Sequence, residues 1–462
     1  MPFPTMADLP DNSEEGAANK VDVPSTTRRL STVRILILVL LLSLAVRLAL
    51  APVIMNRNDR RNFIGASHKA LRYGVASIYE KQRDYEPKRT VRLPYPPVLV
   101  YVYAAVGLAY DRLFDPSFKD VGEYLKLPFD SLALSYLIKL PIFLFELVLA
   151  SVIFLFVRRR HGERRALACA ALYCLNPVVI YDGALWAQPD AIHSAFLALS
   201  VVFLIEKRPL LCMCFLALAV LSKPQAMMAA PLIVIFLLAT HTVRESLKAI
   251  LAAVVTGAIV FIPFLIQSAS AISDMAQTMA RRDTYVSGNA HNFWWLVSSV
   301  GGLDPKMDDS TVALAGISYS ALSVAILVAL YAVVAIVLVK KSYPLTAEPF
   351  AYVCLLVFVF AVRMHENHGL QILPLLALTG LTLKRQGVIF GGLTATILAN
   401  MLLHSPEVMG ESSDRLVFVA GIVNSMLTIG ILGYWSWTMF GQSRSSAGET
   451  GLATATPVDE AS

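Results

Sequence analysis

Twelve apolar runs separated by short polar segments constrain this chain more than any other feature. They fall at about 34–55, 134–157, 166–182, 190–206, 209–222, 226–240, 249–268, 313–339, 348–363, 369–383, 387–404 and 415–439. A helix needs roughly 20 apolar residues to cross a bilayer, and inside lipid a spanning segment must satisfy its own backbone polar groups, as a helix does. The composition agrees: 56% of the residues are hydrophobic and 16% charged, with a mean hydropathy of +0.61, far from a soluble domain. The expected fold class is all-α, a polytopic transmembrane helical bundle of about 12 spans. Several runs fall short of a full crossing, which predicts helices that stop below the surface and leave a cavity lined by their ends.

Basic residues orient the bundle. Arg28, Arg29 and Arg34 precede the first run, and Arg158 to Arg160 with Arg164 and Arg165, Lys207-Arg208, Arg244 and Lys248, Lys340-Lys341 and Lys384-Arg385 recur at every second loop. The positive-inside rule makes all of these cytosolic if two crossings separate residues 34 and 158. The apolar stretch 95–112 is then expected to lie on or dip into the outer surface, entered through Pro96-Pro97, which suit a helix's first turn. Residues 1–33 and 441–462 are expected to be disordered cytosolic tails around a 34–440 membrane domain with long outer loops at about 56–133 and 269–312. In the first loop Ile64, His68, Leu71, Val75 and Ile78 share one helical face, a pattern that predicts an interfacial helix. The net charge of +6 belongs to the orienting loops, so no nucleic-acid partner is expected. All five cysteines lie in apolar runs, where a thiol packs as a hydrophobe.

The polar clusters of unusual composition all fall in the loops assigned to the outer side. Asp59, directly after the first run, is placed to act as a general base toward a hydroxyl or to be a solvated carboxylate among arginines. Trp186-Ala187-Gln188-Pro189-Asp190 offers an indole and an amide suited to a sugar, with Asp190 opening the next helix, where a capping role is the plainer reading. Lys223 interrupts an apolar stretch and needs either a carboxylate partner or a wet cavity and an anion. His365 and His368, one helical turn apart, suit either a metal, for which no further ligand set lies nearby, or an anion, with Glu366 holding their protonation. Arg47, Lys139 and Glu146 lie within apolar runs; they read as a buried charge cluster joining the first helices, with a reach to a lipid phosphate as Arg47's alternative.

Taken together these motifs resemble the GT-C superfamily of integral-membrane glycosyltransferases. Within it they are most similar to mannosyltransferases related to the second mannosyltransferase of GPI-anchor synthesis, and more distantly to dolichyl-phosphate-glucose glucosyltransferases. The resemblance rests on Asp59, Tyr95-Pro96-Pro97-Val98, Lys139-Leu140-Pro141, Trp186-Ala187-Gln188-Pro189-Asp190, Ser222-Lys223-Pro224-Gln225, Asn292-Phe293-Trp294-Trp295 and Arg363-Met364-His365-Glu366, in the family's order over about 55–375. It implies inverting transfer of a hexose, mannose before glucose, from a polyprenyl-phosphate sugar to a glycan or glycolipid acceptor, with no metal or other cofactor. Asp59 would be the base. Lys223, Arg363, His365 and His368, with Arg281 and Arg282 behind them, would hold the departing phosphate. Trp186, Gln188, Asp190, Gln225, Asn292, Trp294, Trp295, Glu366 and Tyr95 would line the sugar and acceptor site. Ala187, where relatives carry Gly, Asn367, where they carry a basic residue, and the basic run after Asp59 depart from the family pattern. The competing class is a polytopic transporter or lipid-linked sugar flippase, which would place its polar residues near the midplane in two related halves. The compact length, the short loops and the lack of an ER-retention ending favour a bacterial cell membrane over the endoplasmic reticulum, with the site on the non-cytosolic face.

Overall fold

Each of the twelve apolar runs forms helix. The computed structural model describes residues 26–80, 91, 93–280, 283–341, 343–410 and 414–441. In chain order the helices are α1 Thr26–Leu50, α2 Arg57–Tyr73, α3 Pro97–Leu113, α4 Leu132–His161, α5 Glu163–Cys174, α6 Pro177–Ile180, α7 Asp190–Ile205, α8 Pro209–Val220 and α9 Ala230–Thr240. They continue as α10 Val243–Gln267, α11 Ala271–Ala280, α12 Phe293–Val300, α13 Tyr319–Lys340, α14 Glu348–Phe360, α15 Ile372–Ala377, α16 Lys384–Leu403, α17 Pro406–Met409 and α18 Asp414–Ser436. Most of the expected tails 1–33 and 441–462 lies outside the described residues, although α1 already begins at Thr26.

Among the described residues six helices are long and apolar enough to cross a membrane alone, or seven if α5 and the segment Pro177–Trp186, bent by 41°, are one broken span. Helices α7, α8, α9 and α14 are apolar but shorter, and the run 369–383 yields only the six-residue α15 between turns. The chain is thus a multi-pass membrane protein in which several apolar runs stop short. Helix α3, with Pro97 in its first turn, is not among the spanning helices.

The two ends of the bundle differ in kind. Helix α4 ends in Arg158–His161 and α13 in Lys340, while α14 begins at Glu348, which receives Arg385 at 2.9 Å. At the opposite ends, α4 starts beside α2, where Arg60 donates to the Ser131 carbonyl at 2.9 Å, and α14 runs out into the 361–368 segment. Orienting cations and polar motifs therefore sit at opposite ends of the same helices.

Buried charge ties the first spans together. Arg47 of α1 and Glu146 of α4 form an ion pair with both side chains sealed from solvent, and Arg47 Nη1 also donates to the Cys174 carbonyl at 2.9 Å. Lys139 Nζ donates to the carbonyls of Ala51 and Val53 at 2.9 and 2.7 Å, capping the C-terminal end of α1. These residues stitch helices together, and Arg47 does not reach toward lipid.

The first loop corrects the expected interfacial helix. Helix α2 stops at Tyr73, Gly74 takes φ +88°, and Val75–Ile78 form a separate 3-10 turn. Ile64 and His68 are buried, with the His68 ring edge-on to Phe118 at 5.1 Å and Phe63 stacked on Tyr103 of α3 at 4.9 Å. The apolar face of α2 therefore turns to the protein. It comes so close to α3 that a Cβ on Gly107 would lie 2.4 Å from the Ser67 carbonyl oxygen.

Candidate active site

The cavity at the motif-bearing end holds about 610 Å³ and is walled by segments far apart in sequence. Backbone bonds draw them together. The Met55 N–H donates to the Leu185 carbonyl at 3.1 Å, bringing the start of α2 beside Trp186, and the Val98 N–H donates to the Leu221 carbonyl at 3.0 Å, bringing Tyr95 beside Lys223.

Asp59 lies in the first turn of α2, where the Asn56 side chain caps the helix by accepting the Asp59 N–H at 2.9 Å. Its Oδ2 accepts the Trp186 indole N–H at 2.8 Å and the Gln188 amide at 2.7 Å. Tyr95 donates its hydroxyl to Gln188 Oε1 at 3.2 Å, which fixes the amide so that its nitrogen faces Asp59. Both donors come from a turn with unusual backbone. Residues Tyr181–Trp186 form a π-helix that ends at Ala187 in the left-handed region, φ 69° and ψ 28°, and the Gln188 N–H returns to the Asp182 carbonyl at 2.9 Å. A left-handed residue favours glycine, so Ala187 occupies a position whose backbone suits Gly better.

Lys223 lines the cavity but is committed to a carboxylate: its Nζ lies 2.9 and 2.8 Å from the two oxygens of Asp190. Asn367 donates to Asp190 Oδ2 at 2.8 Å. Asp190 is buried, stands outside the cavity wall and makes no side-chain cap for α7, so its expected contact with sugar hydroxyls is not what its position offers. Its role is to hold the 223–225 and 361–368 segments against α7.

The segment after α14 supplies the densest charge. Arg363, at φ 62°, pairs bidentately with buried Asp309 of the second loop, Nη2 to Oδ1 at 3.0 Å. His365 and His368 line the same cavity, their rings 5.1 Å apart, and the His365 N–H donates to His368 Nδ1 at 3.1 Å. Glu366 is buried beside them with Oε2 lacking a hydrogen-bond partner. Among the described residues no group of three or more His, Cys, Asp or Glu is arranged to hold a metal ion.

Of the residues expected in the site, Asp59, Tyr95, Trp186, Gln188, Lys223, Gln225, Arg363, His365, Glu366 and His368 line this one cavity. Asn292, Trp294 and Trp295 do not. The Asn292 side chain caps α12 and donates to the carbonyls of Phe358 and Ala361 at 3.1 and 3.0 Å, and the Trp294 indole donates to the Phe360 carbonyl at 2.7 Å. Trp295 packs against His291 at 4.9 Å and His404 at 5.1 Å. Asn292 and Trp294 fasten the second loop to the end of α14, and Trp295 packs it against the end of α16. Arg281 and Arg282 lie outside the described residues. Sequence reasoning missed Asp283 and the apolar wall of Met227, Met228, Pro231, Tyr331 and Val357. The Met-Met pair and Pro231 just beyond Lys223-Pro224-Gln225 were the available signal for that wall.

Residues 134–267, less than a third of the chain, match the family model described as dolichyl-phosphate-mannose-protein mannosyltransferase. No curated protein matches. Among solved structures, ArnT from Cupriavidus metallidurans bound to undecaprenyl phosphate aligns over 89% of this chain and 78% of its own at 15% identity with a TM-score of 0.46. Its apo state aligns over 86% and 76% at 15% identity with a TM-score of 0.43. The family match runs from the start of α4 through Trp186, Gln188 and Lys223 to the end of α10, and it bears out the resemblance to GT-C membrane glycosyltransferases that the motifs carry.

Proposed function

We propose that the protein transfers a hexose, mannose before glucose, from a polyprenyl-phosphate sugar to an acceptor hydroxyl, with inversion and without a metal. One observation carries the reading: a single cavity holds a carboxylate oriented by an indole and an amide, a group of cationic and imidazole side chains, and an apolar wall that leads outward. Met227 on that wall is 58% exposed, an apolar surface suited to a lipid chain.

In this reading Asp59 takes the proton of the acceptor hydroxyl, whose oxygen attacks the anomeric carbon while the bond from that carbon to the phosphate oxygen breaks. The polyprenyl phosphate leaves with the bonding electrons. Its charge is met by Arg363, His365 and His368, with Lys223 adding its charge from behind the Asp190 pair. Gln225 presents a buried Oε1 without a protein partner, an acceptor suited to a sugar hydroxyl. The separation of basic loops from motifs supports a site on the non-cytosolic face, in a bacterial cell membrane before an endoplasmic reticulum membrane.

The test is transfer by purified protein in lipid nanodiscs from labelled polyprenyl-phosphate mannose, with the glucose donor in parallel and with and without EDTA. The expected result is EDTA-resistant product of inverted anomeric configuration, faster with mannose. Folded protein that turns over neither sugar with several acceptors would overturn the proposal and favour a lipid-linked sugar flippase.

A further inference from the structure

His365 stands between two carboxylates that come from different parts of the chain. Its Nε2 lies 3.1 Å from Asp283 Oδ2, and its Nδ1 lies 3.7 Å from Glu366 Oε2, close enough for a charge contact. A ring flanked by acceptors at both nitrogens is best matched by the imidazolium, in which both are donors. The backbone holds it in register: His365 bridges to Gly288 and Asn289, and a Cβ on Gly288 would come 3.0 Å from both Cε1 and Nε2 of the ring.

Among the described residues, Arg363, His368 and His404 also stand near this ring. Arg363 is bound to Asp309. His368 accepts the His365 N–H at its Nδ1. His404, behind Glu366, is pulled down to about 4 by burial and carries no charge at neutral pH. Burial also pulls His365 down, but the Asp283 and Glu366 carboxylates outweigh it and raise the ring to about 9. Because Nδ1 faces buried Glu366, an anion in the cavity meets the His365 ring at Nε2, the atom that Asp283 holds. Asp283 itself lines the cavity and its side chain is 28% exposed.

We propose that Asp283 and the donor's phosphate compete for one seat on His365, so that the phosphate binds by displacing this carboxylate and Asp283 sets donor affinity. The inference rests on the polyprenyl-phosphate reading above. One N–H serves one strong acceptor, and both candidates are anions, so carboxylate and phosphate exclude each other at Nε2. Glu366 keeps the imidazolium charged through the exchange.

The experiment measures the binding of polyprenyl phosphate without sugar to the full chain in nanodiscs from pH 6 to 10. Wild type, Asp283→Asn, His365→Gln and the double variant are compared, with melting temperatures as a fold control. At pH 6 Asp283→Asn is expected to bind about tenfold tighter, because a charged competitor is gone, and the gain is expected to vanish when His365→Gln is added. Wild-type affinity is expected to fade as pH rises through about 9. In Asp283→Asn it is expected to fade at lower pH, since one of the two carboxylates that raise the ring is missing. Asp283→Asn protein that binds no tighter than wild type, a gain that persists without His365, or an unshifted pH limb overturns the inference alone. Wild type that binds no polyprenyl phosphate overturns the donor reading and this inference together.

Discussion

Two charge groups among the described residues of this bundle differ in what lies beside them. The Arg47–Glu146 pair between α1 and α4 is packed on all sides, 0% and 1% exposed, with Ser43 and the Cys174 carbonyl accepting from Arg47 Nη1 and no hydrogen-bond partner at Nη2. The group formed by Asp59, Lys223, Arg363, His365 and Glu366 borders about 610 Å³ of space. There Gln225 Oε1 has no hydrogen-bond partner, and Glu366 Oε2 has only its charge contact with His365 at 3.7 Å. Charge inside an apolar bundle marks a stitch when packing closes around it, and a site of chemistry when open space remains next to it.

Four substitutions separate the two behaviours. Asp59→Asn, at the cavity, is expected to lower the transfer rate by about 10²–10⁴-fold, the usual worth of a general base, while leaving the melting temperature in nanodiscs unchanged. Glu146→Gln, in the stitch, is expected to do the reverse. It strands the Arg47 charge and costs about 3–5 kcal/mol of stability, read as a large loss of monodisperse protein on heating, while transfer per folded molecule stays near wild type. Trp186→Phe keeps the ring and removes one of the two donors to Asp59; steady-state kinetics should show kcat lower by about tenfold or more with little change in melting. Ala187→Gly is the smallest change. It relieves a left-handed alanine worth about 1 kcal/mol, so thermal unfolding should move slightly upward. Equal loss of activity and stability in all four variants would erase the distinction between the groups.

Most of the cavity was legible because its residues are polar breaks in apolar runs. Asp59, Trp186, Gln188, Lys223 and His365 each lie where a helix begins or ends at the same side of the bundle, and helices of unequal length leave their ends facing a common space. Pro96-Pro97 likewise marked the start of α3. The Asn292, Trp294 and Trp295 group was misplaced because an amide and two indoles look alike whether they hold a sugar or fasten backbone. Only the fold shows that the Asn292 and Trp294 donors reach the carbonyls of Phe358, Phe360 and Ala361, while Trp295 packs against His291 and His404. Asp190 was read as a cap or a sugar ligand because its partners, Lys223 and Asn367, lie far along the chain. Asp283 and Asp309 were hidden for the same reason: a loop carboxylate shows nothing locally of the His365 or Arg363 it will meet. The face of α2 was periodic as expected, but hydrophobic periodicity does not distinguish lipid from a neighbouring helix, and here the neighbour is α3.

The most direct test of the account is a cryo-EM structure of the protein in nanodiscs with polyprenyl phosphate bound. The account predicts the phosphate within hydrogen-bonding reach of His365 and Arg363, the lipid chain running out past Met227, and Asp59 still held by Trp186 and Gln188 on the far side of the space left for the sugar. A phosphate bound at the basic end of the bundle, or seated in the cavity against Asp59 and away from His365 and Arg363, would contradict it.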